Sequence, residues 1–130
     1  AQIAKTEAAL LQQGSANALA VAARLTAARE AFLTVVDFVA ANSKSNPNAV
    51  FAGSVPYLML TGNLVAGWQM ARALLVAQDH LAKGEDAAFM QAKITTARFY
   101  ADHILAKVPG TRDSIVEGAD SVTEMALDAF

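Results

Sequence analysis

A run of 27 residues without a charged side chain, from Ser45 to Ala71, is the feature that most restricts the fold of this chain. It overlaps a helical pattern that extends from Ser54 to Lys83, in which apolar or small residues recur at alternating spacings of three and four. The residues of this stripe are Leu60, Leu64, Gly67, Ala71, Leu74 and Leu81, with Gln78 in the one polar place. A second stripe beside it contains Tyr57, Leu64, Trp68, Ala71 and Leu75. A helix that is apolar over much of its girth is typical of the centre of a bundle.

The same uncharged run is long enough to cross a lipid bilayer. Its composition argues against a membrane span, because it contains Asn, Gln, Ser and Thr side chains together with two prolines and three glycines. The pattern therefore favours a buried helix in a water-soluble bundle.

Composition extends the helical prediction to the whole chain. Thirty of the 130 residues are alanine, whereas there are 7 glycines and 3 prolines, and alanine has the highest helix propensity. We predict one all-α domain over residues 1–130, an up-and-down four-helix bundle with short C-terminal helices. The predicted elements are a lead-in helix over 1–14, main helices over 15–43, 48–83 and 85–107, and short C-terminal helices within 111–129.

Capping signals set the predicted helix boundaries. Ser15 or Asn17 can cap the first main helix. Asn46-Pro47 can open the second, and Ser54-Val55-Pro56 is a second possible start. A helix from about residue 48 that bends near Pro56 would reconcile the two. Gly84 is expected to end it in a left-handed conformation. Farther along, the Val108–Gly110 segment is expected to break the third main helix.

Two further expectations concern small and capping residues. Ser121 and Glu124 have the spacing of a capping box for a last helix over 122–129. The small residues Gly62, Ala66, Gly67 and Ala71 should let a neighbouring helix approach the central helix closely.

Several functional classes lack the residues that they require. The net charge is −2 and no basic block occurs, which argues against nucleic-acid binding. The absence of cysteine excludes disulfides and thiolate metal sites. The two histidines, His80 and His103, form no Glu-x-x-His motif of a di-metal bundle, and no phosphate-loop fingerprint occurs. We therefore assign no catalytic, cofactor-binding or metal-binding residue.

One group of side chains is a candidate contact site for a phosphate or for a carboxylate on a partner. It lies on two adjacent predicted helices and consists of Arg72, Lys93, Arg98, His103 and Lys107, with Tyr100 among them. The alternative is that these are ordinary solvated side chains on outer faces. Arg29 falls within the apolar stripe of the first main helix. There its side chain either lies along the edge of the core with the guanidinium in water, or binds a carboxylate on a partner. Trp68 and Tyr57 are expected in the core, with an interface role as the alternative.

Three segments resemble a known family. Tyr57–Gly62 (YLMLTG) is followed by Ala66–Trp68 (AGW), Lys93 lies four residues before Ala97–Tyr100 (ARFY), and Ile115–Gly118 (IVEG) comes late in the chain. In this order and spacing, the segments resemble the extra C-terminal domain at the end of one branch of the acyl-CoA dehydrogenases, over roughly residues 15–128. The resemblance implies a packing signature formed by Tyr57, Leu60, Gly62, Gly67, Trp68 and Ala97.

The resemblance also implies a parent enzyme that uses FAD to oxidise an acyl-CoA thioester to the 2,3-enoyl-CoA, with a glutamate removing the α proton. Neither that base nor the flavin site corresponds to any residue of this chain, so the chain alone is expected to be inactive and to bind no cofactor. Its expected role is to pack on the catalytic domains of the same polypeptide, support a homodimer or shape the acyl-CoA entrance. The implied location is cytoplasmic. The candidate contacts of such a domain, with a partner or with CoA phosphates, are Arg29, Arg72, Lys93, Arg98 and Tyr100.

Other classes of protein remain as alternatives. Charged residues make up 17 % of the chain, below the roughly 25 % of ordinary domains, which suggests surface covered by a partner. Together with the missing initiator Met, this favours a piece of a longer protein. A free-standing helical interaction protein, such as a phasin-like coat of storage granules, would also use amphipathic alanine-rich helices. A domain that binds a small ligand would need a cavity beside Trp68 and Tyr100.

Overall fold

Every regular element among the residues that the computed structural model describes is helical, and the predicted all-α bundle is confirmed. The structure describes residues 1–129, except for the side chain of Leu127. Seven α-helices and two 3-10 turns follow one another along these residues. The helices are α1 (Gln2–Gln13), α2 (Ala16–Asn42), α3 (Pro47–Ala52), α4 (Ser54–Ala82), α5 (Ala87–His103), α6 (Val108–Val116) and α7 (Ala119–Thr123). The 3-10 turns are Leu105–Lys107 and Leu127–Ala129.

Two long helices, α2 and α4, share the centre of the bundle. Each of them packs against the other and against α1, α5 and α6. They are antiparallel, because Ser15 at the start of α2 meets Gln78 near the end of α4, whereas Phe32 meets Tyr57 near its start. The largest fully buried side chains come from six elements and include Leu10, Leu25, Leu60, Leu74, Ile94, Leu105 and Val108.

The predicted stripe of α4 is buried over most of its length, from Leu60 to Leu74. Toward the C-terminal end of α4, Ala77 is buried, whereas Leu81 of the predicted stripe is only half-buried. Gln78 is also half-buried, and its Nε2 donates to Ser15 Oγ at 3.3 Å. The polar side chain in the stripe therefore joins α4 to the start of α2.

The start of α2 is capped by Ser15, whose Oγ accepts a hydrogen bond from the amide of Ala18 at 3.2 Å. This confirms one of the two predicted caps. Asn17 lies inside the helix, and its side chain accepts a hydrogen bond from Arg98 instead.

We expect Ser15→Ala to lower the free energy of unfolding by about 1–2 kcal/mol, because it removes both the cap and the acceptor for Gln78. Urea unfolding followed by far-UV circular dichroism measures the change. Ser43→Ala, at the opposite end of α2, is the matched control, since the side chain of Ser43 caps nothing there. Equal effects of the two substitutions would contradict the assigned cap.

The uncharged segment breaks at Gly53, three residues before the predicted bend at Pro56, and α4 begins at Ser54, the second of the two predicted helix starts. Pro56 sits in the first turn of α4, where its missing amide hydrogen removes no helical bond. Gly53 faces α6 closely, and a Cβ added there would lie 2.8 Å from Ile115 Cγ2. The approach of α6 therefore fixes where α3 ends and α4 begins.

The turn between α4 and α5 contains the predicted left-handed glycine, Gly84, with φ 74°. Asp86 also has a positive φ of 41°, so α5 begins at Ala87 and not at residue 85. At the other end, α5 stops at His103, and the Leu105–Lys107 turn leads directly into α6. The predicted break at Val108–Gly110 is wrong, because these residues form the first turn of α6, where proline is tolerated.

The predicted capping box at Ser121 is also wrong. Helix α7 spans Ala119–Thr123, and residues 124–126 are not helical. Ser121 Oγ donates to the carbonyl of Gly118 at 2.8 Å, so it serves an earlier turn instead of accepting from the amide of residue 124.

Candidate partner and anion contacts around helix α4

The candidate contact residues do not share one face. Arg72 and Lys93 line one open groove of about 450 Å³ between α4 and α5, together with His80 and Phe89. Arg29 and Arg98 lie outside this groove. The structure therefore brings together two of the four candidate cations.

Arg72 and Lys93 each lie against an aromatic ring. The guanidinium carbon of Arg72 is 5.5 Å from the ring centroid of Trp68, and Lys93 Nζ is 4.7 Å from that of Phe89. Arg72 Nη1 also donates to Gln69 Oε1 at 2.9 Å. Among the described residues, neither cation forms an ion pair with a carboxylate. Their charges therefore remain available to an anion from outside the chain.

Arg29 has a partner within the chain that sequence reasoning did not identify. Its Nε donates to Glu7 Oε1 at 2.7 Å and its Nη2 to Glu7 Oε2 at 3.1 Å. Only 9 % of the Glu7 side chain and 26 % of the Arg29 side chain are exposed. This two-point geometry is the strong form of an arginine–carboxylate pair. The hydrogen bond to Glu7 raises the pKa of Arg29 above its ordinary value, so the guanidinium stays charged at physiological pH.

Arg98 and Tyr100 also bind groups of this chain. Arg98 Nε donates to Asp102 Oδ2 at 2.6 Å, and its Nη1 donates to Asn17 Oδ1 on α2 at 3.3 Å. The Tyr100 hydroxyl donates to the carbonyl of Asn63 on α4 at 3.3 Å. Burial raises the pKa of Tyr100, which keeps this hydroxyl protonated as a donor. Both side chains thus hold α5 against its neighbours.

The remaining members of the predicted basic group lie farther along the chain. His103 stacks on Phe99 with ring centroids 4.4 Å apart, and Lys107 is exposed in the 3-10 turn.

Trp68 joins α4 to α1. Its ring is half-buried, and its Nε1 donates to Thr6 Oγ1 at 2.8 Å. The two residues border an open groove of about 480 Å³ between α1 and α4, which Arg72 also lines. Tyr100 does not border this groove, so the groove is not the cavity beside both Trp68 and Tyr100 that a small-ligand domain would need.

We expect Trp68→Phe to destabilise the chain by about 1–2 kcal/mol, because it removes the bond to Thr6 and part of the packing against α1. Tyr57→Phe is the matched control. Tyr57 is also half-buried, but among the described residues its hydroxyl has no hydrogen-bond partner, so we expect a change within about 0.5 kcal/mol. Equilibrium unfolding followed by circular dichroism compares the two. A smaller loss for Trp68→Phe than for Tyr57→Phe would contradict a joining role for Trp68.

The residues of the packing signature have different environments. Leu60, Gly67 and Ala97 are buried, whereas Tyr57 is half-buried and stacks on Phe32 at 6.1 Å between ring centroids. Gly62 is exposed, and a Cβ added there would meet nothing within 4 Å. The expectation that Gly62 lets another helix of this bundle approach is therefore wrong. Gly67 does lie against another element, since an added Cβ would be 2.5 Å from Leu105 Cδ2, and Ala71 is completely buried.

Two searches of the described residues were negative. Across residues 1–129, no group of three or more metal-ligating side chains could hold a metal ion. Over the same range, no helix is both long and apolar enough to cross a membrane.

A comparison with protein families decides what kind of domain this is. The family described as acetyl-CoA dehydrogenase C-terminal like matches residues 1–126. The chain belongs to this family. The acyl-CoA dehydrogenase resemblance is thereby confirmed, and it is favoured over a phasin-like granule coat.

Two curated relatives of this acetyl-CoA dehydrogenase C-terminal-like domain are much longer proteins. One is a 3-methylmercaptopropionyl-CoA dehydrogenase of Ruegeria pomeroyi, 44 % identical over 125 residues, which are 96 % of this chain and 21 % of that protein. The other is the broad-specificity linear acyl-CoA dehydrogenase FadE5 of Mycobacterium tuberculosis, 31 % identical over 129 residues, which are 97 % of this chain and 20 % of that protein. The chain therefore spans about a fifth of the length of these relatives. No solved structure matches it.

Proposed function

We propose that this chain is the C-terminal accessory domain of a flavin-dependent acyl-CoA dehydrogenase, whose complete polypeptide converts an acyl-CoA to the 2,3-enoyl-CoA. The observation that carries this proposal is the alignment of nearly the whole chain with about one fifth of a 3-methylmercaptopropionyl-CoA dehydrogenase and of a broad-specificity linear acyl-CoA dehydrogenase. The proposed role of the domain is to pack on the catalytic domains, support a dimer and help to shape the acyl-CoA entrance.

FAD would supply the acceptor for the hydride in such an enzyme, but the described residues do not fit that cofactor. The grooves between α1 and α4 and between α4 and α5 are open and have mainly apolar linings, with two cations in each. Neither contains a glycine-rich turn at a helix N-terminus, which is the usual cradle for a dinucleotide pyrophosphate. We therefore assign flavin binding to the other domains of the proposed parent and no catalytic step to this chain.

Within this proposal, Arg72 and Lys93 are the candidate contacts for a phosphate of CoA. Their support is that they line one groove and that, among the described residues, neither pairs with a carboxylate. Arg29, Arg98 and Tyr100 are poorer candidates, because each already binds a group of this chain. An anion near both Arg72 and Lys93 would also lie beside the apolar floor formed by Val76 and Met90.

We expect the double substitution Arg72→Gln/Lys93→Gln in the complete polypeptide to raise KM for acyl-CoA about 5- to 50-fold with little change in kcat, because a binding contact remote from the reacting bond acts on binding alone. Arg24→Gln/Lys44→Gln is the control, since both residues are exposed and lie away from the groove. Unchanged KM values in both double variants would show that Arg72 and Lys93 do not contact CoA.

The accessory role is tested by deleting the segment that corresponds to residues 1–130 from the complete polypeptide. We expect the deletion to give an enzyme that aggregates or changes its oligomeric state, because the surface that the domain covers becomes exposed. Size-exclusion chromatography with light scattering measures this, and the flavin content shows whether the catalytic domains have folded. A soluble, flavin-loaded deletion variant with unchanged activity and oligomeric state would contradict the role.

A further inference from the structure

Helix α4 has an exposed apolar face along its first half. Its members are spaced three or four residues apart, so they point the same way, and we call Val55, Leu58, Met59, Gly62 and Val65 the outer face of α4. The exposed fractions are 71 % at Val55, 71 % at Leu58, 59 % at Met59 and 45 % at Val65. The buried stripe lies on the opposite side of the same helix, so the outer face is not part of the core.

Two neighbouring elements extend this surface. Phe51 on α3, one turn before Val55, is 70 % exposed. Val122 on α7 is 65 % exposed and lines a small groove with Pro56, which lies in the first turn of α4. No charged residue occurs between Ser45 and Ala71, so the outer face and its α3 extension carry no charge. An apolar surface formed by three elements, of which the α3 and α4 parts carry no charge, is typical of a covered interface.

We propose that the outer face of α4 docks onto the catalytic part of the same polypeptide. This inference rests on the proposed function and specifies which surface of the domain makes the contact. The part of the polypeptide that covers the outer face must itself be uncharged and apolar there, because a charged group buried against Leu58 or Met59 would lose its water without gaining a partner. About four fifths of each relative lies outside the aligned segment, so such a part is available within one polypeptide.

The size of the face favours a covalently linked partner over a second copy of this domain. The five residues from Val55 to Val65 span about 15 Å along the helix, at about 1.5 Å of rise per residue. A stable dimer of separate chains buries about 800 Å² per partner, whereas domain interfaces within one chain are often smaller. Linkage supplies a high effective concentration, so a small apolar contact suffices to keep two domains docked.

The charge pattern also distinguishes the face from a lipid-binding surface. Helices that lie on membranes or lipid-coated particles usually flank their apolar side with Lys and Arg, which contact anionic headgroups. The outer face has no such residue on its own segment of α4, because the first cation after Lys44 is Arg72.

Cysteine labelling in the complete, flavin-loaded polypeptide tests the docking. This domain contains no cysteine, so Leu58→Cys places a single thiol on the outer face. Leu11→Cys is the control on α1, where the native side chain is 60 % exposed. Peptide mass spectrometry after a short pulse of N-ethylmaleimide gives the labelling rate at each introduced thiol, before and after unfolding in urea.

We expect Leu58→Cys to react at least about 10-fold more slowly in the native protein than after unfolding, and Leu11→Cys to react at similar rates in both states, because only the covered thiol needs local opening. A photo-crosslinking residue at position 58 then identifies the segment that covers the outer face. Crosslinks to catalytic-domain peptides are the expected result. Crosslinks to a second copy of this domain, or fast native labelling at position 58, would overturn the proposal.

The readouts separate this inference from the proposed function. If the complete polypeptide binds flavin and oxidises acyl-CoA but position 58 labels quickly, only the docking surface is wrong. If the complete polypeptide binds no flavin and does not oxidise acyl-CoA, the proposed function fails, and the docking proposal fails with it.

Discussion

Arg29→Met should lower the free energy of unfolding by about 2–4 kcal/mol, one of the two largest effects that we expect from a single substitution in this chain. The physical reason is the environment of Glu7, whose side chain is only 9 % exposed and whose two oxygens both accept hydrogen bonds from Arg29. Without the guanidinium, a carboxylate would remain buried with no opposite charge. Because about a quarter of the Arg29 side chain is exposed, the expected loss in the free energy of unfolding is smaller than for a completely buried ion pair.

Urea unfolding at neutral pH measures this effect, with Arg24→Met as the matched control. Arg24 lies on the same helix but is exposed, and we expect its substitution to cost less than about 0.5 kcal/mol. Replacing both partners, as Glu7→Leu/Arg29→Met, should restore much of the stability, because neither charge is then left alone. Equal stabilities of Arg29→Met and Arg24→Met would show that the Glu7 pair does not hold α1 to α2.

Gly67→Ala should destabilise the chain by about 1–3 kcal/mol, although alanine is the better helix former by about 1 kcal/mol. A Cβ at position 67 would lie 2.5 Å from Leu105 Cδ2 and 2.8 Å from Leu105 Cγ. Leu105 is only 1 % exposed and fully packed, so it cannot move aside without disturbing the core. The steric cost therefore exceeds the gain in helix propensity.

Gly62→Ala is the matched control, five residues earlier on the same helix. An added Cβ meets nothing within 4 Å there, so we expect a stabilisation of about 0.5–1 kcal/mol. Thermal unfolding of the two variants and of the unsubstituted chain measures the loss of stability expected at position 67 and the gain expected at position 62. A gain in stability from both substitutions would contradict the close contact between Gly67 and Leu105.

The parts of the fold that were predictable are those set by local sequence. The buried stripe from Leu60 to Leu74 follows from its spacing, and the Ser15 cap and the left-handed Gly84 follow from their side-chain chemistry. The errors lie where a distant contact overrides the local signal. Pro56 is the stronger local breaker, yet the helix breaks at Gly53, because α6 approaches there through Ile115.

The candidate site was less predictable, for the same reason. The helical pattern predicts that Arg29 lies in an apolar stripe, but Glu7 is 22 residues away, and no local signal pairs the two. Thr6 and Trp68 are 62 residues apart. Both of these contacts come from α1, whose sequence has few large apolar residues and therefore predicts little packing. Its Leu10 is completely buried and, with the half-buried Ile3, packs α1 against the core.

An anaerobic titration with a saturated acyl-CoA, followed by visible absorbance, tests whether the complete polypeptide carrying this domain is an acyl-CoA dehydrogenase. We expect a bound flavin whose long-wavelength absorbance bleaches as acyl-CoA is added, with one enoyl-CoA formed for each flavin reduced. A complete polypeptide that purifies without flavin, or whose flavin is not reduced by any acyl-CoA across a range of chain lengths, would contradict the claim that this chain is the C-terminal domain of an acyl-CoA dehydrogenase.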